Sequence, residues 1–334
     1  MRNKKAFEIQ FNWIFVLVAG AAILLFFTVV VVKQKSVSEA STKATVLKSI
    51  EAIITGASVS IDTINIIDIP DSNIKVDCGR VSLGEVSKQY QNLILFAPSS
   101  IIGNKLITQT LPFSIPYRAT NLLYMTSPKI RYIIIGNSIL AKEINKSLPS
   151  DLNKEFYEAV QTIANKNDHK VKLAIFDFDV NSVDLKNLEK MPDNDVTAIK
   201  VNGDIEKGSI DFYQKKGSSW ESKGTSYYLT KSSLFGAIYS DTKEIYECNI
   251  RNVFNRLKLV TDIYVYRTNE LNQQQSCIGA SYANALNYLG TISAMSLILT
   301  SSITEPSINT LASAAKSLAG ENKNAQVYSC TLIY

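Results

Sequence analysis

The sequence predicts a mixed α/β or α+β domain carried on an N-terminal transmembrane helix. Three observations predict it. An uncharged run of 22 residues, FNWIFVLVAGAAILLFFTVVVV, lies near the start. A middle section alternates apolar strand-like runs with helical periodicity, and a C-terminal third is dominated by apolar residues at helical steps. With 334 residues, 46% hydrophobic and 19% charged, the chain has enough apolar surface for sizeable cores and is not a disordered tail.

The apolar run covers residues 11–32 and, at about 1.5 Å per residue, matches the roughly 30 Å hydrocarbon core of a bilayer. A basic tail, residues 1–10, precedes it, with Arg2, Lys4 and Lys5 against Glu8 giving +2 and leaving +3 of the formal +5 for the rest. The run ends in four valines and Lys33-Gln34-Lys35 without a small-residue cleavage site, which favours an uncleaved anchor over a secretory signal. Lys33, Lys35, Lys43 and Lys48 beyond the run nearly cancel the positive-inside bias. An inside N-terminus spares the basic tail from crossing, so the expected location is the cell membrane, single-pass, with the domain extracytoplasmic. The remaining charge is too small and dispersed for nucleic acid to be a partner.

Residues 33–57 continue the helical pattern through Val37, Ala40, Ala44, Leu47, Ile50 and Ile54, and read as a stalk stopped at Gly56. The domain then occupies 58–334. Its first part, 58–115, contains SVSIDTINIIDI, NIKVDC, NLILFAP and KLITQTLPF between turn signals, and reads as a small antiparallel sheet. In 116–230, KIRYIIIGN, KVKLAIFDFDV and DVTAIKV are buried-strand runs, while ILAKEINKSL, DLNKEFYEAVQTIANK and VDLKNLEKM read as helices. This predicts a doubly wound-like α/β sheet, with GSIDFYQKKGSSW as an edge hairpin.

The third part, 231–334, is predicted mostly helical. Tyr246, Ile250, Val253, Leu257, Val260 and Tyr264 form a heptad seam, expected to pack on its own domain and, alternatively, to support self-association. Residues 271–304 carry no charge; a helix buried in the domain is expected, with a second membrane span over 287–303 as the alternative. AQVYSCTLIY reads as a returning strand.

Four cysteines, Cys78, Cys248, Cys277 and Cys330, all follow the anchor, and an exported domain could pair them in three ways. Their spacing excludes a CxxC metal knuckle. The single histidine, His169, sits in the polar turn Asn167-Asp168-His169-Lys170 and reads as solvated. Gly136 follows a strand without a GxGxxG or GxxxxGK pattern and reads as its terminator. No mark of a Ser-Lys nucleophile pair is legible. Trp220, Tyr227 and Tyr228 lie in the polar segment SSWESKGTSYYL and are candidates for stacking on a small ligand or glycan. Asn145-Lys146-Ser147 is an N-glycosylation sequon.

LAIFDFDVNSV places Asp177 and Asp179 two residues apart at a strand end, where they are expected to point the same way. Over these eleven residues the chain resembles the first motif of haloacid dehalogenase-type phosphohydrolases. The resemblance implies Asp177 as nucleophile, Asp179 as acid and base, and a magnesium ion between them and a phosphate. The family's small residue and Thr or Val after the second aspartate are only partly matched by Val180-Asn181, and no later paired-carboxylate motif follows.

KKAFEIQFNWIF resembles the start of type IV pilin or archaellin precursors, which implies a cut after Ala6 and an assembly role for Glu8; Glu8 would then be the second mature residue rather than the fifth. EIQFNWIFVLVAGAAILLFF, TGASVS, NIIDIP, LPFSIPYRATNLLYMTSPKIRYI, EIYECNIRNVFNRLK and SCTLIY together resemble a group of uncharacterised archaeal single-pass membrane proteins, which brings no assigned activity. The expectation is a structural or interaction protein contributing to a cell-surface complex, using no cofactor. Its expected contacts are the bilayer, through the N-terminal helix, and protein partners or a second copy, through the stalk or heptad helix. The alternatives are the magnesium-dependent phosphohydrolase and a small-ligand or glycan-binding domain.

Overall fold

A computed structural model describes residues 4–90, 93–274 and 282–334. Two compact units are formed, Met1–Ile50 and Glu51–Tyr334. The first is built on helix α1 (Lys4–Val59), 56 residues without a break. Within it, Phe15–Lys35 has mean hydropathy 3.0 and none of it is buried. A helical stretch that is apolar on all sides and unburied is suited to a lipid environment. Among the described residues this is the one helix long and apolar enough to cross a membrane. Thr28 donates its hydroxyl to the Leu24 carbonyl at 2.7 Å, so its polar group is satisfied within the helix.

The second unit holds two six-stranded sheets and a helical C-terminal part. The first sheet comprises β1 (Ile64–Asp77), β2 (Arg80–Leu83), β3 (Val86–Gln89), β4 (Leu95–Phe96), β5 (Ser100–Ser114) and β6 (Arg118–Thr126). Its order is β3-β2-β1-β5-β6-β4, antiparallel except for the short β4–β6 pair. Because β6 belongs here, this sheet extends past residue 115.

The second sheet, β7 (Ile130–Ile135), β8 (Lys154–Tyr157), β9 (Lys170–Ile175), β10 (Val196–Gly203), β11 (Lys207–Lys216) and β12 (Ser219–Leu229), has the order β12-β11-β10-β9-β7-β8. The strands β8, β7, β9 and β10 are parallel, and β10–β11–β12 form the expected antiparallel edge. Chain order reverses about β7, whose neighbours are β8 and β9, as in a doubly wound sheet. Strands β7 and β9 are buried along their whole length, which explains their continuous apolar reading.

Helix α2 (Ile139–Ser147) forms where expected, its first turn capped by the Ser138 hydroxyl. The helix expected over DLNKEFYEAVQTIANK does not form: Lys154–Tyr157 is the edge strand β8 and 158–169 is irregular. Lys154 explains part of this. Its ammonium binds the last-turn carbonyls Asn145 O and Leu148 O of α2, each at 2.8 Å, while the backbone pairs with β7. The helix expected over VDLKNLEKM is reduced to one short 3-10 turn, Lys186–Leu188, with another, Val180–Ser182, just before it. They bury Val180, Val183, Leu185 and Leu188 against Ile133, Leu173 and Ala198 on one face of the second sheet.

The opposite face meets α3 (Lys231–Tyr239) and α4 (Lys243–Gln273). Here Tyr132 and Tyr124 pack on Tyr239 with ring centroids 5.3 and 5.2 Å away, and Phe96 and Phe212 pack on Tyr246 at 6.1 and 5.6 Å. This aromatic core joins the two sheets. Gly236 is required within it, because a Cβ there would meet the Phe96 ring at 2.7 Å. The heptad seam faces inward: Tyr246, Ile250, Val253 and Leu257 are buried, and Tyr264 packs on Tyr117 at 4.5 Å. Helix α5 (Tyr282–Leu299) buries Tyr282, Ala285, Leu289, Ile292, Ser296 and Leu299 on one side, as expected of a helix packed on the domain. The returning strand expected at the end is absent. Helix α6 (Glu305–Val327) runs through its first residues, and the tail is held instead by Asn322 Oδ1, which accepts from Ile333 N at 2.8 Å.

Candidate functional site

The C-terminal ends of β7 and β9, where the sheet order reverses, are where open α/β sheets place ligand sites. Gly136 ends β7, and a Cβ there would meet Phe176 Cβ at 2.7 Å and Ala141 Cβ at 2.8 Å. It therefore does more than terminate the strand: it lets α2 start tight against the β9 loop. Asp177, just past β9, lies at this end of the sheet. Its Oδ2 accepts from Asn137 N at 2.9 Å and Ser138 N at 2.8 Å, the backbone donors just before α2.

Asp177 and Asp179 do not share a face in the way a strand would impose. Strand β9 stops at Ile175 and Asp177 has φ +64°, so the two-residue alternation no longer governs. Asp179 turns to cap the next 3-10 segment, accepting from Asn181 N at 2.7 Å. Among the described residues, no group of three or more His, Cys, Asp or Glu is placed to hold a metal ion.

A Ser-Lys pair that the sequence did not mark is present at the other end of β9. Lys170 and Lys172 project from one face of the strand, buried, toward Asp241 in the α3–α4 connection. Lys170 Nζ lies 2.5 Å from Asp241 Oδ2 and Lys172 Nζ lies 2.8 Å from Oδ1. Ser99, just before β5, donates both its backbone N (2.8 Å) and its hydroxyl (2.6 Å) to the same Oδ2. Lys172 also donates to Ser240 O at 2.6 Å.

Burial alone would raise the Asp241 carboxyl, but the ammoniums of Lys172 and Lys170 outweigh it and hold the group well below the usual carboxylate range. Although Ser99 Oγ lies 3.0 Å from Lys170 Nζ, a serine nucleophile needs a neutral amine to take its proton. Here the amine is ion-paired and the hydroxyl points to a carboxylate. The arrangement ties the first sheet, the second sheet and the helical part together through one aspartate. Sequence reasoning missed it because its members are 142 positions apart at the extremes; the signal available was two lysines inside an otherwise apolar strand.

A third buried cation, Arg131 on β7, has Nε 2.8 Å from Asp168 Oδ2 and donates to Ala164 O at 2.6 Å. This anchors the irregular 158–169 segment and places His169 differently from expectation. His169 is half-buried, its backbone N donates to Lys129 O at 2.9 Å, and burial lowers its pKa.

The remaining candidates are dispersed. Cys78, in the β1–β2 turn, is bonded to Cys248 on α4 across a separation of 170 residues. Cys330 is also disulfide-bonded, and Cys277 lies outside the described residues. Asn145 is half-buried in the last turn of α2 rather than in an open loop. Trp220, Tyr227 and Tyr228 do not make one stacking platform: Trp220 packs against the core, Tyr228 is buried, and Tyr227 is half-buried on the other face. No protein-family model, curated protein or solved structure matches the chain.

Proposed function

We propose that the chain is a membrane-anchored interaction protein whose domain stands outside the cytoplasm and contributes to a cell-surface complex. The observation that carries the anchor is the fully exposed apolar stretch Phe15–Lys35 within an unbroken α1. The Cys78–Cys248 bond supports an oxidising location, since structural disulfides persist outside the cytoplasm. Exposed apolar side chains on the domain, Leu259, Ile263 and Tyr266 of α4 and Leu297 and Ile298 of α5, support a role in contacts with other proteins.

Intact cells treated with a protease that cannot cross the membrane provide the test. The domain is expected to be digested while a fragment containing residues 15–35 stays protected; a protected domain, beside a digested control surface protein, overturns the placement. The unbroken helix from Lys4 also favours the pilin-like variant of this reading, in a surface assembly of archaeal type. Mass spectrometry of the protected fragment decides that variant: a first residue of Phe7 supports processing after Ala6, and retention of Met1 ends it.

A further inference from the structure

A cavity of about 640 Å³ opens among the β5–β6 turn, the β10–β11 turn, the start of α3 and α6. Its volume falls in the range of small-molecule sites. The apolar part of the wall includes Ile115, Leu229 and Ala312. The charged part is unbalanced, with Lys207, Lys231 and Lys316 against Glu206.

These lysines are not equivalent. Lys231 Nζ lies 3.3 Å from Glu143 Oε1, so its charge is partly answered. Lys207 is half-buried, and its ammonium donates to the neutral amide oxygen of Asn309 at 2.7 Å. A cation drawn partly out of water and given a neutral partner is under-compensated, and it favours an anion arriving beside it. Lys207 also lines an adjoining cavity of about 350 Å³, whose wall includes Asp204 and Glu305.

The wall that carries Lys207 is tightly built. In the β10–β11 turn, a Cβ on Gly203 would meet Lys207 O at 2.5 Å, and one on Gly208 would meet Asn202 O at 2.2 Å and Tyr228 Oη at 2.6 Å. Tyr228 closes the turn by donating to Asp204 O. Beside it, Thr230 N donates to Glu206 O at 2.5 Å, and Thr230 itself holds φ +85°, where a β-branched residue sits only when its surroundings over-determine it. The turn therefore presents Lys207 from a fixed backbone, which lowers the ordering cost of binding.

We propose that this cavity binds a small organic anion, its carboxylate or phosphate beside Lys207 and its apolar body against Ile115, Leu229 and Ala312. Such a group comes either from a soluble compound or from the headgroup of an acidic lipid. The test uses the full chain in phosphatidylcholine nanodiscs, titrated calorimetrically against empty nanodiscs, with naphthalene-2-carboxylate, its neutral amide and short-chain dihexanoyl phosphatidate as probes.

One saturable site for an anionic probe is expected. Affinity should fall roughly tenfold for the amide and for Lys207→Gln, recover in Lys207→Arg, and vanish when Ala312→Phe fills the cavity. The tighter of the two anions identifies the source as soluble or lipid. Unfolding midpoints matching the parent chain certify that the variants are folded, and Lys207→Gln carries the test if Ala312→Phe is not. Absence of binding by both anions, equal affinity for the amide, or indifference to Lys207→Gln or to a folded Ala312→Phe overturns the proposal.

Discussion

The two six-stranded sheets solve the same problem in different ways. In the second sheet, β7 and β9 are buried on both faces yet carry Arg131, Lys170 and Lys172, each held by carboxylates from distant parts of the chain. In the first sheet, the outer β2–β3 hairpin is short and partly exposed, Ile64 and Ile66 of β1 are about half-exposed, and the β1–β2 turn is fastened covalently through Cys78 to α4. A sheet edge with little apolar cover gains from a cross-link that restricts the unfolded chain. Central strands with full cover can hold buried charge, provided every charge is paired.

The largest effect should come from breaking the charge pairing. Asp241→Ala leaves Lys170 and Lys172 buried without their carboxylate, an expected cost of about 3–5 kcal/mol, read as a lower urea midpoint. Hydrogen exchange should accelerate in β9 and also around Ser99, because both lose the same acceptor. The pH dependence has a definite sign. The folded Asp241 carboxyl lies below its unfolded value, so its contribution is complete above the unfolded pKa of about 4 and lost as pH falls through the folded value. The gap between parent and Asp241→Ala should therefore be constant above about pH 5 and narrow on acidification. A gap unchanged down to pH 2 would show that the carboxylate's charge is irrelevant to the lock.

The covalent tie should cost less and act more locally. Replacing Cys78 and Cys248 together by serine is expected to lower stability by about 2–4 kcal/mol, since the bond closes a loop of 170 residues. Exchange should rise first in residues 80–89, with β9 little changed. If β9 and the hairpin lose protection equally, the contrast between the sheets fails and the domain opens as one unit.

This contrast also explains what could be read from the sequence. The apolar N-terminal helix, the β7, β9 and β10 strands, the edge hairpin and the helical third were legible because local patterning and environment agree in them. Segment 154–157 was not, since its strand is fixed by Lys154 binding the end of α2 and by pairing with β7. Both are tertiary contacts that override a helical pattern. The end of the chain failed for a similar reason: Asn322 and the ring of Tyr117, 5.4 Å from that of Tyr334, hold it without a strand partner. Of the candidate sites, the Asp177-Asp179 pair was visible as a pattern, but its geometry follows from a residue at positive φ. The Asp241 lock left only the trace of polar residues in an apolar strand.

The smallest expected effect concerns Asp177, and it separates the parallel sheet's two ends. At the N-terminal end of β9 the charges are buried and their loss is global. At the C-terminal end Asp177 is exposed and serves two backbone donors ahead of α2, much as an N-cap serves a helix. Asp177→Ala should cost about 1 kcal/mol, with faster exchange confined to the start of α2 and the β7–α2 turn. Asp177→Asn, which keeps an acceptor oxygen, should recover most of it, because hydrogen bonding rather than net charge does the positioning. If Asn recovers nothing, the negative charge itself is what the end of the sheet requires, and the carboxylate stands there as an internal anion in the place where open α/β sheets receive ligands.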